Sequence, residues 1–221
     1  MVFRKVTSAE SVIDYLTGVL SAKMAAGQPV LWLVPGGSAI AVAVAVAKNL
    51  QGVDLSSLTV TLTDERYGSV GHTDSNWSQL EQAGFNLPGA RLVPVLHGHS
   101  VEETTSEFAQ HLQEYCRGAA YCLGLFGMGA DGHTAGILPD SPAVTTTEWA
   151  AHYQAPDYLR VTMTPPAIAA LDEAVVYAMG EAKAEPLQRL QADIPLDEQP
   201  AQALKQVHEL TIFNDQIGDT V

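Results

Sequence analysis

Positive charge is scarce in this chain. Its 221 residues carry 11 lysines and arginines against 25 aspartates and glutamates, a formal net charge of −14. A surface of that sign repels nucleic-acid phosphates and anionic lipid, so neither nucleic acid nor a membrane is an expected partner. Cysteine is equally rare. Cys116 and Cys122 are the only 2, without a second pair or a histidine cluster at zinc-finger spacing, so they read as reduced thiols and no structural zinc is expected. No apolar run reaches the roughly 18 residues that span a bilayer, and Met1-Val-Phe-Arg-Lys-Val-Thr7 lacks the apolar stretch of a signal peptide. A cytoplasmic protein is the expectation. Internal repeats and low-complexity segments are missing as well, which excludes solenoids. The length suits a single α/β domain over residues 1–221 with a substantial core, as a monomer or a small homo-oligomer.

Strand-like and helix-like patterns alternate along the chain, which predicts an α/β fold: a doubly wound, largely parallel sheet with helices on both faces. The unbroken apolar run Val30–Val34 reads as a buried parallel strand, and Leu58–Thr63, Tyr121–Phe126, Leu159–Met163, Ala174–Met179 and Glu209–Phe213 as further strands. A short strand over Arg91–Val95 is also expected. Helices are expected over Ser8–Ala25, Val101–Tyr115, Glu181–Gln191 and Ala201–Val207. Ala39–Ala47 is ambiguous, because its valines alternate like a strand while its alanines favour a helix; the Gly-rich turn before it favours the helix.

Four polar or glycine-rich stretches directly follow strands: Gly36-Gly-Ser38, Asp64-Glu-Arg66, Gly127 to Thr134, and Gly180 to Lys183. Ligands of open parallel sheets bind beyond the carboxyl ends of the strands, so these loops share one edge if their strands are parallel. Gly36-Gly37-Ser38 offers unhindered N–H groups, a hydroxyl and a helix N-terminus, a combination that suits a phosphate; it equally suits a tight turn with Ser38 as N-cap. Asp64-Glu65-Arg66 reads either as functional charge or as a solvated strand end with a local salt bridge. Thr73-Asp-Ser-Asn76 supplies the cap of a helix starting near Trp77, an architectural role.

Gly127-Met-Gly129-Ala-Asp-Gly132 matches the dinucleotide pattern G-x-G-x-x-G, and Glu148 lies at a suitable distance for a ribose contact. The match comes too late in the chain for the first βα turn of a dinucleotide fold, and it runs straight into Asp131-Gly-His133. A histidine beside an aspartate in such a loop can serve as general base, or can simply be a hydrogen-bonded turn residue. His97-Gly-His99 lacks a third metal ligand and reads as a surface loop.

Taken in order, Gly36-Gly-Ser38, Thr63-Asp-Glu-Arg66 with Asp74-Ser-Asn76, Gly127 to Ala135 and Arg160-Val-Thr162 resemble the 6-phosphogluconolactonase family, whose fold is shared with glucosamine-6-phosphate deaminases. The resemblance covers roughly residues 8 to 215. It implies hydrolysis of 6-phospho-D-glucono-1,5-lactone in the pentose phosphate pathway, with no cofactor and no metal. On that resemblance His133 matches the catalytic histidine, Asp131 orients the site, Arg66 faces the developing oxyanion, and Asp64 completes the catalytic candidates. Gly36, Gly37, Ser38, Arg160 and Lys183 match the phosphate end. Ala39-Ile40 stands where the family has threonine and proline, which removes one hydroxyl donor.

Two other readings belong to the same fold. A deaminase pattern carries tyrosine after Asp-Glu and a glutamate shortly past the histidine, whereas this chain has Arg66 and no acid between His133 and Asp140. A non-catalytic sugar-phosphate-binding protein is the third reading.

Overall fold

The computed structural model describes residues 1–219; Thr220 and Val221, included in the 1–221 domain expectation, lie outside the described residues. The chain opens with β1 (Val2–Lys5), α1 (Glu10–Ala25) and β2 (Val30–Val34), then a short 3-10 turn over Gly37–Ala39 that leads into α2 (Ile40–Asn49). Next come β3 (Leu58–Leu62), β4 (Asp64–Arg66), α3 (Asn76–Gln82), β5 (Arg91–Leu92), α4 (Val101–Gly118) and β6 (Tyr121–Phe126). The remaining elements are β7 (Ala150–Gln154), β8 (Leu159–Met163), α5 (Pro165–Ile168), β9 (Glu173–Ala178), α6 (Ala184–Leu190) and β10 (Glu209–Asn214).

Seven strands form one parallel sheet in the order β1-β10-β9-β6-β2-β3-β5. β2 lies inside it between β6 and β3, and all of Val30–Val34 is buried, as an apolar run without alternation requires. The chain steps one way from β1 through β2 and β3 to β5, then returns through β6 and β9 to β10. Right-handed crossovers therefore put α1, α2 and α3 on one face and α4 and α6 on the other. The two directions diverge between β2 and β6, the topological switch point where such sheets bind ligands.

The ambiguous segment 39–47 is helical. Its valines at 42, 44 and 46 and the alanines at 43 and 47 are all buried, so α2 is apolar nearly all round because protein surrounds it. α4 starts at a capping box, in which the Ser100 hydroxyl accepts from the Glu103 N–H while the Glu103 carboxylate accepts from the Ser100 N–H.

Two expectations need correction. Asp64–Arg66 is not a loop but a short strand, and β8 lies outside the parallel sheet; β4, β8 and β7 form a separate antiparallel sheet. β7 had no usable signal, since Ala150–Gln154 has an irregular burial pattern instead of alternation. The glycine loop after β6 continues as turns, with a 3-10 turn at Pro142–Val144 before β7. β1 also escaped notice, as a four-residue edge strand ending in two charges.

Candidate functional site

β9, β6, β2 and β3 are neighbours in the sheet and all parallel, so the loops at their carboxyl ends converge. Around the switch point they enclose a cleft of about 260 Å³ lined by Gly36, Gly37, Ser38, Asp64, Arg66, Asn76, Met128, Gly129, His133, Ala135, Arg160 and Lys183. Every site residue expected from sequence lines it except Asp131, which stands directly behind His133. A larger groove of about 610 Å³ follows β1 at the far edge of the sheet and contains none of these residues.

The histidine is held by its own loop. Gly129 N–H donates to the His133 carbonyl at 2.8 Å and Gly132 N–H to the Gly129 carbonyl at 3.1 Å, and Gly132 takes a φ of 82° that favours glycine. Asp131 Oδ1 accepts from the His133 backbone N–H at 3.1 Å and pairs with His133 Nδ1 at 2.6 Å. A carboxylate only accepts, so this bond puts the ring proton on Nδ1 and leaves Nε2 as the basic atom. The bond to His133 holds the Asp131 carboxyl down at about 2, so it is ionised at neutral pH. A Cβ on Gly129 would meet His133 Nδ1 at 2.1 Å and Asp131 Oδ1 at 2.3 Å. Only glycine leaves room for the pair. The buried Gln199 side chain packs under Gly132, and the Gly132 carbonyl accepts from Ala201 N–H at 3.0 Å.

Strand alternation splits Asp64-Glu65-Arg66. Glu65 is fully buried and turns from the cleft to accept from the N–H groups of Arg66, Asn76 and Trp77 and from the Ser75 hydroxyl. Burial pushes its carboxyl up, and these donors, which favour the ionised form, oppose the shift. Glu65 thus caps α3 together with Ser75. Asp64 and Arg66 point into the cleft instead. Burial pushes Asp64 up, opposed first by the Arg160 charge, then by the Thr63 hydroxyl, Arg66 and His133. The reading of these residues as a solvated strand end is therefore wrong: Asp64 and Glu65 are buried, and the Arg66 guanidinium donates to the Asp74 carbonyl at 3.2 Å.

At the other wall Gly37 has a φ of 65°, and among the described residues no side chain, Ser38 included, caps the turn or α2. The N-cap reading of Ser38 falls, and its hydroxyl stands exposed on the cleft beside the first N–H groups of the helical segment. Ala39 and Ile40 are buried in the protein, so the departure from the family pattern adds to the core and not to the cleft lining. Arg160 arrives from β8, with only 9 % of its surface exposed, and bonds Asp157 at 2.8 Å. Lys183 closes the set from the 3-10 turn after β9. Three of the chain's 11 lysines and arginines thus meet in one cleft of a strongly acidic protein.

Sequence reasoning assigned Asn76 to architecture alone. Its backbone does begin α3, yet its side chain enters the cleft, donating to the Asp64 carbonyl at 2.9 Å and to Asp64 Oδ2 at 3.3 Å. A Cβ on Gly36 would collide with that amide at 2.1 Å, so close approach explains the first glycine of the pair. The adjacency of Asn76 to Asp64, 12 residues away, has no local signal. Ala135 was missed as well; it holds a φ of 48°, a strained conformation at the cleft wall. Met128 also lines the cleft.

The dinucleotide pattern is a coincidence of spacing, because no α-helix N-terminus follows Gly132 to receive a pyrophosphate. His99 pairs with Glu107 at 2.9 Å on the surface. Among the described residues no group of three or more His, Cys, Asp or Glu is arranged to hold a metal ion, and no helix is long and apolar enough to cross a membrane.

The chain is similar to human 6-phosphogluconolactonase, with 28% identity over 164 residues that cover 70% of this chain and 63% of that protein. A 6-phosphogluconolactonase of Streptomyces coelicolor is 27% identical over 189 residues, covering 76% of this chain and 72% of its relative. The chain thus spans somewhat under two thirds of the human protein. In three dimensions it superposes on a 6-phosphogluconolactonase from Shewanella baltica with a TM-score of 0.82 at 19% identity over 97% of both chains. A monomeric glucosamine-6-phosphate deaminase matches with a TM-score of 0.81 at 16% identity, again over 97% of both chains. Likeness at these identities establishes the fold. Residues 4–213 match the model of the family described as glucosamine-6-phosphate isomerases/6-phosphogluconolactonase, and the chain belongs to that family.

Proposed function

We propose that this protein hydrolyses 6-phospho-D-glucono-1,5-lactone to 6-phosphogluconate. The observation that carries the reading is His133, bonded through Nδ1 to Asp131 and so basic at Nε2, in the same small cleft as Arg66, Arg160 and Lys183. Nε2 of His133 takes a proton from water as the water oxygen bonds to C1 of the lactone. Charge moves to the carbonyl oxygen, where Arg66 stabilises it. Collapse of the tetrahedral intermediate breaks the bond between C1 and the ring oxygen, which receives the proton from the imidazolium. Asp131 stays ionised throughout and keeps the ring in its tautomer. Gly37, Ser38, Arg160 and Lys183 hold the phosphate, the arginine through its planar fork and the lysine as a mobile charge. Asp64 has a supporting role between the two arginines, with Asn76 fixing its carboxylate.

The deaminase named among the structural neighbours has different chemistry, and Arg66 after Asp64-Glu65 supports the lactonase reading over it. The test follows hydrolysis of freshly generated lactone, corrected for spontaneous opening, with wild type and His133→Ala. Loss of a general base lowers kcat by about 10²-fold or more. Equal rates for the two proteins would end the proposal, and ammonia release from glucosamine 6-phosphate would transfer the site to the deaminase reaction.

A further inference from the structure

Arg66 and Arg160 are direct partners across β4 and β8, so two guanidinium side chains leave the small sheet at one cross-strand position. Like charges placed so repel, and each side chain must be held against that repulsion until an anion arrives. The Asp64 carboxylate offsets part of that repulsion, and one restraint on each arginine comes from a single tight turn, Ala155-Pro-Asp-Tyr158, which joins β7 to β8 and is closed by a 2.8 Å bond from Ala155 N–H to the Tyr158 carbonyl. Asp157 ties the turn to Arg160 through Oδ2 at 2.8 Å, while its Oδ1 accepts from Tyr158 N–H at 2.9 Å. The Tyr158 ring lies 4.7 Å from the Arg66 guanidinium carbon. Arg66 also donates to the Asp74 carbonyl, and its Nε is buried without a hydrogen-bond partner among the described residues. A group with that much donor capacity unspent needs a fixed wall to keep its direction.

We propose that Tyr158 is a positioning residue: its ring fixes the Arg66 guanidinium against the repulsion of Arg160, so that Arg66 faces the reacting carbonyl before substrate binds. The turn supplies this wall because Asp157 anchors it to the neighbouring arginine. For its rate readout the inference rests on the lactonase reading; for its spectroscopic readout it does not.

The experiment compares wild type, Tyr158→Ala and Tyr158→Phe in the full chain, alone and combined with Arg66→Ala. A cation held over a ring gains enough that Tyr158→Ala lowers kcat by about three- to tenfold with little change in KM, and Tyr158→Phe, which keeps the ring, recovers most of the loss. In the Arg66→Ala background the effect of Tyr158→Ala disappears, because the group being positioned is gone. Independently of turnover, the Arg66 Nε–H resonance is shifted by the ring current in wild type and Tyr158→Phe, and moves to the unperturbed position in Tyr158→Ala. An unshifted Arg66 resonance in wild type, or a Tyr158→Ala effect that persists in full without Arg66, would overturn the proposal. If wild type fails to hydrolyse the lactone while the resonance behaves as stated, the lactonase reading fails and the positioning role stands. A Tyr158→Ala protein that does not fold leaves the wild-type resonance and Tyr158→Leu, of similar bulk without an aromatic ring, to decide.

Discussion

Gly129→Ala tests whether the histidine and aspartate work as a packed pair. The added Cβ would lie 2.1 Å from His133 Nδ1 and 2.3 Å from Asp131 Oδ1, while ordinary contact begins at 3.4 Å. The imidazole must therefore retreat by about 1.3 Å and the carboxylate by about 1.1 Å. Shifts of that size separate a pair now bonded at 2.6 Å or swing Nε2 away from the line of attack. A misplacement of about 1 Å costs about 10²-fold in rate, so kcat for the lactone falls by that order and matches the fall in Asp131→Asn. Folding survives. Gly129 lacks a left-handed φ, so alanine adopts its backbone, gaining about 0.4–1 kcal/mol from a less free unfolded chain against about 1–3 kcal/mol of crowding. His133 and Asp131 side chains are 34% and 48% exposed, so they can move toward solvent, which keeps the crowding at the low end. Initial rates and thermal unfolding on the same preparation decide the matter. A folded Gly129→Ala protein with kcat within about threefold of wild type would refute the argument that the glycine makes room for the pair.

Arg160→Ala removes a nearly buried guanidinium from the phosphate end and should raise KM for the phosphorylated lactone by about 10- to 100-fold, with a much smaller effect on unphosphorylated gluconolactone. Equal losses on both substrates would move Arg160 to the chemistry or the fold. Asp131→Asn lets the side chain donate as well as accept and no longer fixes the tautomer, so kcat should fall by about 10²-fold or more at nearly constant KM. At the opposite end of the sheet the phenols of Tyr15 and Tyr121 both donate to buried Glu173. Burial and that carboxylate push Tyr15 up to about 12 and Tyr121 up as well. The stabilisation from Tyr15 is complete below the ordinary value of 10.0 and is lost as pH rises from there through about 12, and that from Tyr121 starts to fall from the same point and persists to higher pH. Thermal unfolding between pH 8 and 12 should show that decline, flatter in Tyr15→Phe; identical slopes would rule out the linkage.

Much of the parallel sheet was legible because its strands carry their signal locally. Val30–Val34 and Tyr121–Phe126 were read to the residue, since a strand buried on both faces needs an unbroken apolar run. β4 and β7 were not legible. The pairing of β4 with β8 joins segments nearly 100 residues apart, and a three-residue strand of Asp, Glu and Arg looks locally like a loop; β7 pairs with β8 across a short turn, but Ala150–Gln154 shows no alternation that marks it as a strand. Asn76 escaped for a related reason: its cap position was readable, but its side chain serves a strand 12 residues earlier.

The order of the chain by itself determined which residues could do chemistry. A basic histidine two positions from an aspartate, glycines at fixed offsets, and cations scarce enough that each placement counts are all properties of local sequence. Tertiary structure decided which of them meet. The reversal of direction between β2 and β6 brings Gly36-Gly-Ser38 to the Gly127 loop, and strand alternation sends Asp64 and Arg66 into the cleft while burying Glu65 as a cap. Crossover handedness and cross-strand register, which act over distances no local pattern encodes, set those outcomes.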